Sequence, residues 1–275
     1  MEYTCAEIAK ELVNRGYEAT EDVVVKNSVE LEAVVIRNNT SIGITIYPEK
    51  LDMENLSLSE AVDKMVEIIE TCPELPFDTD KLQDADFVRS HVMMGVQRIS
   101  TQNLIKRNST FEGIETYLYI RMNEGIDESF TMKLTEDNIP ILPITMDDAW
   151  ENAKENTFKE MEIKDMMTLM NELMGIDTDS FQNYENDNPE MLVVSNKYRT
   201  YGAVAMLDGK ILKTCAEMLD THNIYVIPSS IHEIIVTSAD RMDLDEVNVM
   251  VQTVNEQEVL AEEVLSDKAY LVHIN

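Results

Sequence analysis

The chain has 275 residues, 44% of them hydrophobic, which is enough for one large or two moderate domains with buried cores. Its 53 acidic residues face 22 basic ones, so the formal net charge is −31 at pH 7. Such a surface repels phosphate backbones and anionic lipid, so we expect neither direct binding to nucleic acid nor binding to a membrane. A basic protein partner is compatible with this charge, as is competition for a protein surface that normally holds DNA.

The composition also bears on disulfides, metals and cofactors. The three cysteines (Cys5, Cys72 and Cys215) are scattered, which fits neither a disulfide framework nor a zinc site. The four histidines are dispersed, and the sequence has no glycine-rich phosphate loop, so we expect no metal and no cofactor. The first residues, MEYTCAEIAKEL, lack the pattern of a signal peptide, and no segment approaches the length of a membrane span. A cytoplasmic protein is therefore predicted.

The first elements are predicted from capping signals and periodicity. Residues 4–15 have the spacing of an amphipathic helix capped by Thr4, with Val13 counted among its buried residues. A helix with a Ser57–Glu60 capping pair is predicted at 57–71. Between the two helices, three strands of an antiparallel meander are predicted at 23–25, 29–35 and 42–46.

The middle of the chain gives a mixed pattern. Residues 87–104 have a spacing that predicts part helix and part strand, and 115–122 with 129–134 predict a β-hairpin. Pro140 and Pro143 make the segment around them a connection rather than a central strand.

Two helices are predicted next, at 147–155 and 163–174. The second is rich in methionine, at Met166, Met167, Met170 and Met174. Methionine at helical spacing favours adaptable filling of the core, with a peptide-binding groove as the alternative interpretation.

The C-terminal part has the most regular pattern. The acidic segment 177–190 is predicted to be a linker or a surface loop. Turn residues then divide 191–239 into short apolar runs and one 3.6-periodic stripe, which predicts the order strand, strand, helix, strand, strand. A last helix, at 243–254 with Met250 and Val254 inward, and a closing strand come after these. The predicted fold class is α+β, with antiparallel sheets backed by helices in two lobes, 1–145 and 146–275.

Two small groups of residues are candidates for binding or chemistry. The first is a basic island after the strand at 191–194, formed by Asn196, Lys197 and Arg199. This island can bind an anionic group. The favoured interpretation is that its cations pair with nearby acids and so hold the loop in place.

The second group contains the residue types of a catalytic triad, Ser229, Ser230, His232 and Glu233. Neighbours two apart on a strand do not readily form triad geometry, and the G-x-S-x-G elbow is missing. A turn whose hydroxyls satisfy backbone amides is therefore favoured.

These observations favour a soluble, non-catalytic protein that binds another macromolecule. A sharper version has it occupy the basic surface of a nucleic-acid-binding partner, as a DNA mimic does, although the acids are spread over helices and loops alike. The alternative is a hydrolase or transferase with a site at Ser230, His232 and Glu233, served by Lys197 or Arg199.

The amino-acid sequence of several segments resembles that of a known bacterial family, domain of unknown function 5688. The resemblance is carried by NKYRTYGAVAMLDGKILKTCAEML, IYVIPSSIHEIIV, VNEQEVLAEEVLSDKAYLV, VKNSVELEAVVIRNNTSIGITIY and ITMDDAWENAKENT, so it covers nearly the whole chain. It implies a single-chain cytoplasmic protein whose relatives are often encoded near mobile elements. It implies no activity, substrate or catalytic residue.

Overall fold

The structure is a computed structural model that describes residues 3–37, 43–51, 53, 55–71, 79–122, 131–175 and 189–275. Helices and antiparallel sheets make up an α+β fold, which confirms the predicted fold class. Residue contacts divide the chain into two compact units, Met1–Phe77 and Asp78–Asn275. The boundary expected near residue 145 lies inside the second unit.

The first unit is a helix-backed meander. Its elements are α1 (Cys5–Asn14), β1 (Ala19–Lys26), β2 (Val29–Ile36), β3 (Ile44–Ile46), a 3-10 helix (Pro48–Lys50) and α2 (Leu58–Thr71). The strands form an antiparallel sheet in the order β1-β2-β3, as predicted. The turn between β1 and β2 has φ values of 47° at Asn27 and 67° at Ser28. Positive φ at both central residues is the geometry of a type I′ hairpin turn, which matches the twist of the strands.

Local signals fix the ends of both helices in this unit. Thr4 accepts a hydrogen bond from the Glu7 N–H at 3.3 Å, and the Glu7 carboxylate accepts one from the Thr4 N–H at 2.8 Å. Ser57 and Glu60 form the same reciprocal pair. Val13 is exposed, contrary to the prediction, because the buried stripe of α1 is restricted to Cys5, Ile8, Ala9 and Leu12.

In its described residues, the second unit contains two antiparallel sheets with helices around them. Its helices are α3 (Ala85–His91), α4 (Met146–Phe158), α5 (Met166–Leu173), α6 (Gly209–Met218) and α7 (Leu244–Glu258), with 3-10 helices at Thr79–Gln83, Glu136–Ile141 and Gly202–Leu207. Its strands are β4 (Val92–Arg98), β5 (Lys106–Asn108), β6 (Ile114–Arg121), β7 (Thr131–Lys133), β8 (Met161–Asp165), β9 (Met191–Asn196), β10 (Asn223–Ile227), β11 (Ile234–Ser238) and β12 (Tyr270–His273).

The first of these sheets is built on β6, which pairs with β4, β5 and β7. The predicted hairpin is confirmed as β6 with β7, and the mixed segment 87–104 contains α3 followed by β4. Asn156 of α4 donates a hydrogen bond to the Val92 carbonyl at 3.0 Å, and Thr157 accepts one from the Met94 N–H at 2.8 Å. These bonds hold α4 against β4, so residues on both sides of position 145 belong to one packed unit.

The second sheet has the order β12-β10-β11-β9-β8. On one of its faces the three central strands are fully buried and carry Leu192, Val194, Ile224, Val226, Ile234 and Val236. On the other face, Tyr225 and Ile227 of β10 pack against Val247 and Val251 of α7. Because side chains alternate along a strand, Ile235, which pairs with Ile227, lies on this same face.

Several predicted elements of the second unit were wrong. The apolar run from Ala203 to Met206 is a 3-10 helix and not a strand, because Gly202 donates from its N–H to the His232 carbonyl at 2.9 Å and starts a tight turn there. The methionine-rich helix begins at Met166, because Met161–Asp165 pairs with β9 as a strand. The strand predicted from residue 231 begins only at Ile234.

Exposure contradicts three further predictions. Met250 and Val254 of α7 are exposed, because Val247, Val251 and Asn255 form its buried stripe. Filling of the core is wrong for Met167, Met170 and Met174, which are exposed. The predicted acidic loop 177–190 lies outside the described residues, apart from its last two positions.

Candidate functional site

A cavity of about 300 Å³ lies between α5 and strands β8, β9 and β11, on the face of the sheet that also carries α7. Val193 and Ile235, which are paired neighbours in register, form an apolar floor. Met166 and Leu169 of α5 line it from the helix side. Two of the candidate residues, Asn196 and Arg199, and the candidate Glu233 also line it. The sheet therefore brings part of both candidate groups to one concave surface.

Charged side chains surround this apolar floor. Glu162 and Lys164 are on β8, and their register partners on β9 are Ser195 and Val193. Lys164 Nζ lies 2.8 Å from Glu172 Oε2, and Arg199 Nη2 lies 3.8 Å from the same oxygen. The hydrogen bond from Lys164 lowers the pKa of Glu172, with a further Coulombic contribution from Arg199. One carboxylate therefore engages both cations of the cavity wall.

The side chain of Asn196 organises the loop after β9. Its Oδ1 accepts hydrogen bonds from the N–H groups of Tyr198 at 3.0 Å and Thr200 at 3.2 Å, and its Nδ2 donates to the Thr200 carbonyl at 2.6 Å. Asn196 is buried, while Arg199 and Tyr201 have φ values of 52° and 58°. Non-glycine residues rarely adopt this left-handed conformation, so the amide holds a strained loop in place.

The basic residues of the loop have acidic partners. Lys197 Nζ lies 3.9 Å from Glu160 Oε1 and 4.6 Å from the centre of the Tyr198 ring. Arg199 has Glu172, as described above. The structure thus places both cations in the loop-holding arrangement that the sequence favoured, with long ion-pair distances that are typical of weak surface pairs.

Beneath this loop lies a buried ion pair that the sequence analysis missed. Arg121 Nη1 is 2.7 Å from Glu160 Oε2, and its guanidinium lies 4.7 Å from the Tyr198 ring centre. Burial raises the pKa of Tyr119 to about 12, and the positive charge of Arg121 opposes part of this rise. The signal available in the sequence was the alternation of polar residues in ETYLYIR, which marks one face of β6.

The residues of the triad hypothesis do not come together. The Ser230 hydroxyl accepts a hydrogen bond from the backbone N–H of His232 at 2.9 Å, while the Ser229 carbonyl accepts one from Leu265. The His232 ring accepts from the Tyr201 N–H at its Nδ1, 3.3 Å away, and its Nε2 lies 3.5 Å from Glu263. Glu233 faces the cavity instead. This is the arrangement of a turn, in which the Ser230 hydroxyl satisfies a backbone amide.

A second buried polar cluster lies on the sheet around β6. The Glu115 carboxylate accepts hydrogen bonds from Gln97 Nε2 and Ser100 Oγ, both at 2.8 Å, and from Lys106 Nζ at 3.2 Å. Lys133 Nζ donates to Gln97 Oε1 at 2.9 Å. Because the carboxylate is paired and multiply hydrogen-bonded, the cluster is a structural anchor for β4, β5 and β6.

Metal ligands and membrane spans complete the description of the chain. Among the described residues, no three or more His, Cys, Asp and Glu side chains are grouped so that they could hold a metal ion. No helix within the described part combines the length and the apolar character needed to cross a membrane.

Comparisons with known proteins identify the family but no activity. No curated protein and no solved structure matches the chain. A family of unknown function (DUF5688) matches residues 2–273, nearly the full length, and the chain therefore belongs to that family.

Proposed function

We propose that this protein is a soluble, non-catalytic binding protein of the cytoplasm that occupies the basic surface of a protein partner. The observation that carries the proposal is the excess of carboxylates, which gives a formal net charge of −31. On α7 and its cap, all five acidic side chains are exposed: Asp243, Asp245, Glu246, Glu256 and Glu258. Carboxylates presented in this way attract a positively charged surface and speed association with it.

The environment of the cysteines supports the proposed compartment. Cys5 and Cys215 are free and buried, and burial raises the pKa of the Cys215 thiol to about 12. A thiol held in its protonated form is a poor nucleophile for disulfide exchange. Both residues therefore serve as small apolar groups of the core, which suits a reducing compartment.

A hydrolase or transferase at Ser230, His232 and Glu233 is the second candidate, and the geometry supports it less well. A serine nucleophile needs a base within hydrogen-bond reach, but the Ser230 hydroxyl is engaged by the backbone N–H of His232. Incubation with a fluorophosphonate probe tests this alternative. Labelling that is lost in the variant Ser230→Ala would favour the enzyme over the binding protein.

The proposal is tested by capture of a partner from the native host. The full chain, immobilised, is incubated with lysate at low and at moderate salt. We expect a basic protein to be retained at low salt and released at moderate salt, because salt screens exposed charges. The matched control is a chain in which Glu256 and Glu258 are replaced by Gln. Retention of no basic protein, or retention that salt does not change, contradicts the proposal.

A further inference from the structure

Helix α5 has apolar side chains on two adjacent faces. Met166 and Leu169 line the cavity. Met167 and Met170 of the helix and Met174 directly after it succeed one another at intervals of three and four residues, and they are 64%, 41% and 63% exposed. Residues at this spacing form one stripe along a helix. The cavity and the methionine stripe (Met167, Met170 and Met174) are thus parts of one apolar surface.

An exposed methionine stripe next to a cavity has the features of a recognition surface. Large contiguous apolar patches are uncommon on soluble proteins outside interaction sites. Methionine is flexible and polarizable, so it adapts to the side chains of a bound helix. The two adjacent apolar faces of α5 therefore provide a groove for an apolar anchor and a ridge for the residues around that anchor.

The charges at the cavity select the sign of the occupant. Lys164 and Arg199 are both engaged by Glu172. Glu162 and Glu233 also line the cavity, and within the described part of the chain neither has an ion-pair partner. With Glu172 included, three carboxylates face two cations at the cavity, and this negative excess has the same sign as the net charge of the whole chain, −31. A cationic occupant is therefore attracted both by the carboxylates at the cavity and by the net charge of the whole chain.

We infer that the cavity and the methionine stripe bind a basic amphipathic helix of the partner protein. One large apolar side chain of that helix enters the cavity, its apolar face covers the methionines, and its Lys or Arg side chains reach Glu162 and Glu233. This inference rests on the proposed function, since it names the segment by which the basic partner is held.

Other occupants fit the observations less well. A second copy of the chain brings the same strong negative charge and is repelled. Anionic lipid is repelled for the same reason. A cavity of about 300 Å³ stands at the lower end of the range for small-molecule sites, which suits a single side chain better than a cofactor.

The first experiment measures where a basic helix binds. The probe is a synthetic amphipathic peptide of about 18 residues, built from Leu and Lys at helical spacing and carrying a fluorophore. Its controls have the same composition in strictly alternating order, and Glu in place of Lys. With the full chain labelled at the methionine methyl groups, we expect the peptide to shift the NMR signals of Met166, Met167 and Met170. The signal of Met218, a partly exposed methionine of α6, is the matched control and should not move.

Variants then separate the apolar and the charged contributions, with binding followed by fluorescence anisotropy. We expect the double variant Met167→Ser/Met170→Ser to raise Kd about tenfold, because it removes buried apolar area, and to leave the salt dependence unchanged. The double variant Glu162→Gln/Glu233→Gln should raise Kd about fivefold at low salt and flatten the salt dependence. Met167→Leu/Met170→Leu keeps the apolar surface and should bind like the wild type, which separates loss of contact from loss of folding.

Each possible outcome bears on the inference. It is overturned if the alternating or acidic peptide binds as well as the amphipathic one, if no peptide binds, or if Met218→Ser weakens binding as much as the stripe variant. Self-association that the stripe variants abolish assigns the surface to a second copy and also overturns it. A salt-sensitive partner that is captured equally well by the stripe variants leaves the proposed function standing and removes only the inference. If the groove binds the peptide but no basic partner is captured from the host, the binding surface stands and the proposed function is removed.

Discussion

The side-chain amide of Asn196 provides the sharpest test of how the candidate site is held together. Replacing it with Ala removes three hydrogen bonds, at 2.6, 3.0 and 3.2 Å. A typical intramolecular hydrogen bond contributes about 0.5–1.5 kcal/mol net, so the loss of three predicts a decrease of about 2–4 kcal/mol in the free energy of unfolding. Relaxation of the left-handed conformations at Arg199 and Tyr201, once the amide is gone, offsets part of this loss, so we expect a value toward the lower end of the range.

The assay uses the single tryptophan of the chain. Trp150 lies on α4 within the second unit, where the Arg107 guanidinium is 4.3 Å from its ring centre. Its fluorescence during urea unfolding therefore reports on the unit that contains Asn196. We expect a lower urea midpoint with an unchanged slope, because the variant alters stability and leaves the surface exposed on unfolding the same.

The matched control is Asn152→Ala on α4. Its Nδ2 donates to the Asp148 carbonyl at 2.7 Å within a helix, where Ala has the higher helix propensity. We expect this substitution to change stability by less than about 0.5 kcal/mol. If Asn196→Ala stays within that margin, or if Asn152→Ala costs as much, the amide of Asn196 does not hold the loop and the reasoning above is refuted.

Three further predictions concern buried contacts. Replacing Gly202 with Ala places a Cβ 2.6 Å from the His232 carbonyl oxygen. We therefore expect the free energy of unfolding, measured with urea, to decrease by about 3 kcal/mol or more. Gly209→Ala, whose Cβ meets nothing within 4 Å, is the control and should not destabilise. Burial raises the pKa of Tyr119 from 10.0 to about 12. The contribution of this group to the free energy of unfolding is therefore complete below pH 10 and is lost as the pH rises to about 12. The free energy of unfolding, measured at several pH values in this range, should decrease less steeply for Tyr119→Phe than for the wild type. An equal decrease would show that Tyr119 does not cause the pH dependence. Arg121→Met removes the close partner of the Glu160 carboxylate and leaves it only the distant Lys197 ammonium, so we expect a loss of about 3 kcal/mol in the free energy of unfolding, most of which adding Glu160→Leu should recover. A double variant as unstable as the single one would show that the pair is not the cause.

Elements with local signals could be predicted from the sequence. The reciprocal bonds of Thr4 with Glu7 and of Ser57 with Glu60 join residues three apart, so the residue types alone indicate them. The alternation in VELEAVVI likewise marks β2 and its buried face. In both cases the interactions that decide the structure lie within the segment that shows the pattern.

Elements decided by distant contacts could not be predicted in this way. The run Ala203 to Met206 has the composition of a strand, but the approach of Gly202 to the Ser195 and His232 backbone requires a tight turn at its start. Residues Met161–Asp165 continue the helical spacing of α5 toward its N-terminus, yet pairing with β9 makes them a strand. Tertiary context overrides local preference in both segments.

The candidate site divides along the same line. Asn196 and Arg199 were identified as loop residues and Glu233 as one of the residue types of a catalytic triad, and all three line the cavity. Glu162, Lys164 and Leu169 were missed, because their place in the cavity depends on the register of β8 with β9 and on the docking of α5. Sequence proximity misled in the opposite direction at Ser230 and His232, where adjacent polar residues point to separate partners.

The exposed methionines and the acidic surface have complementary effects on what the protein binds. An apolar stripe on a nearly neutral protein invites self-association, whereas a net charge of −31 keeps copies of this chain apart and lets the stripe stay exposed. The charge alone attracts any cationic surface, and the stripe alone attracts any apolar one. A partner that satisfies both at once must carry positive charge and an apolar ridge on the same segment, so the combination gives a selectivity that neither feature has by itself.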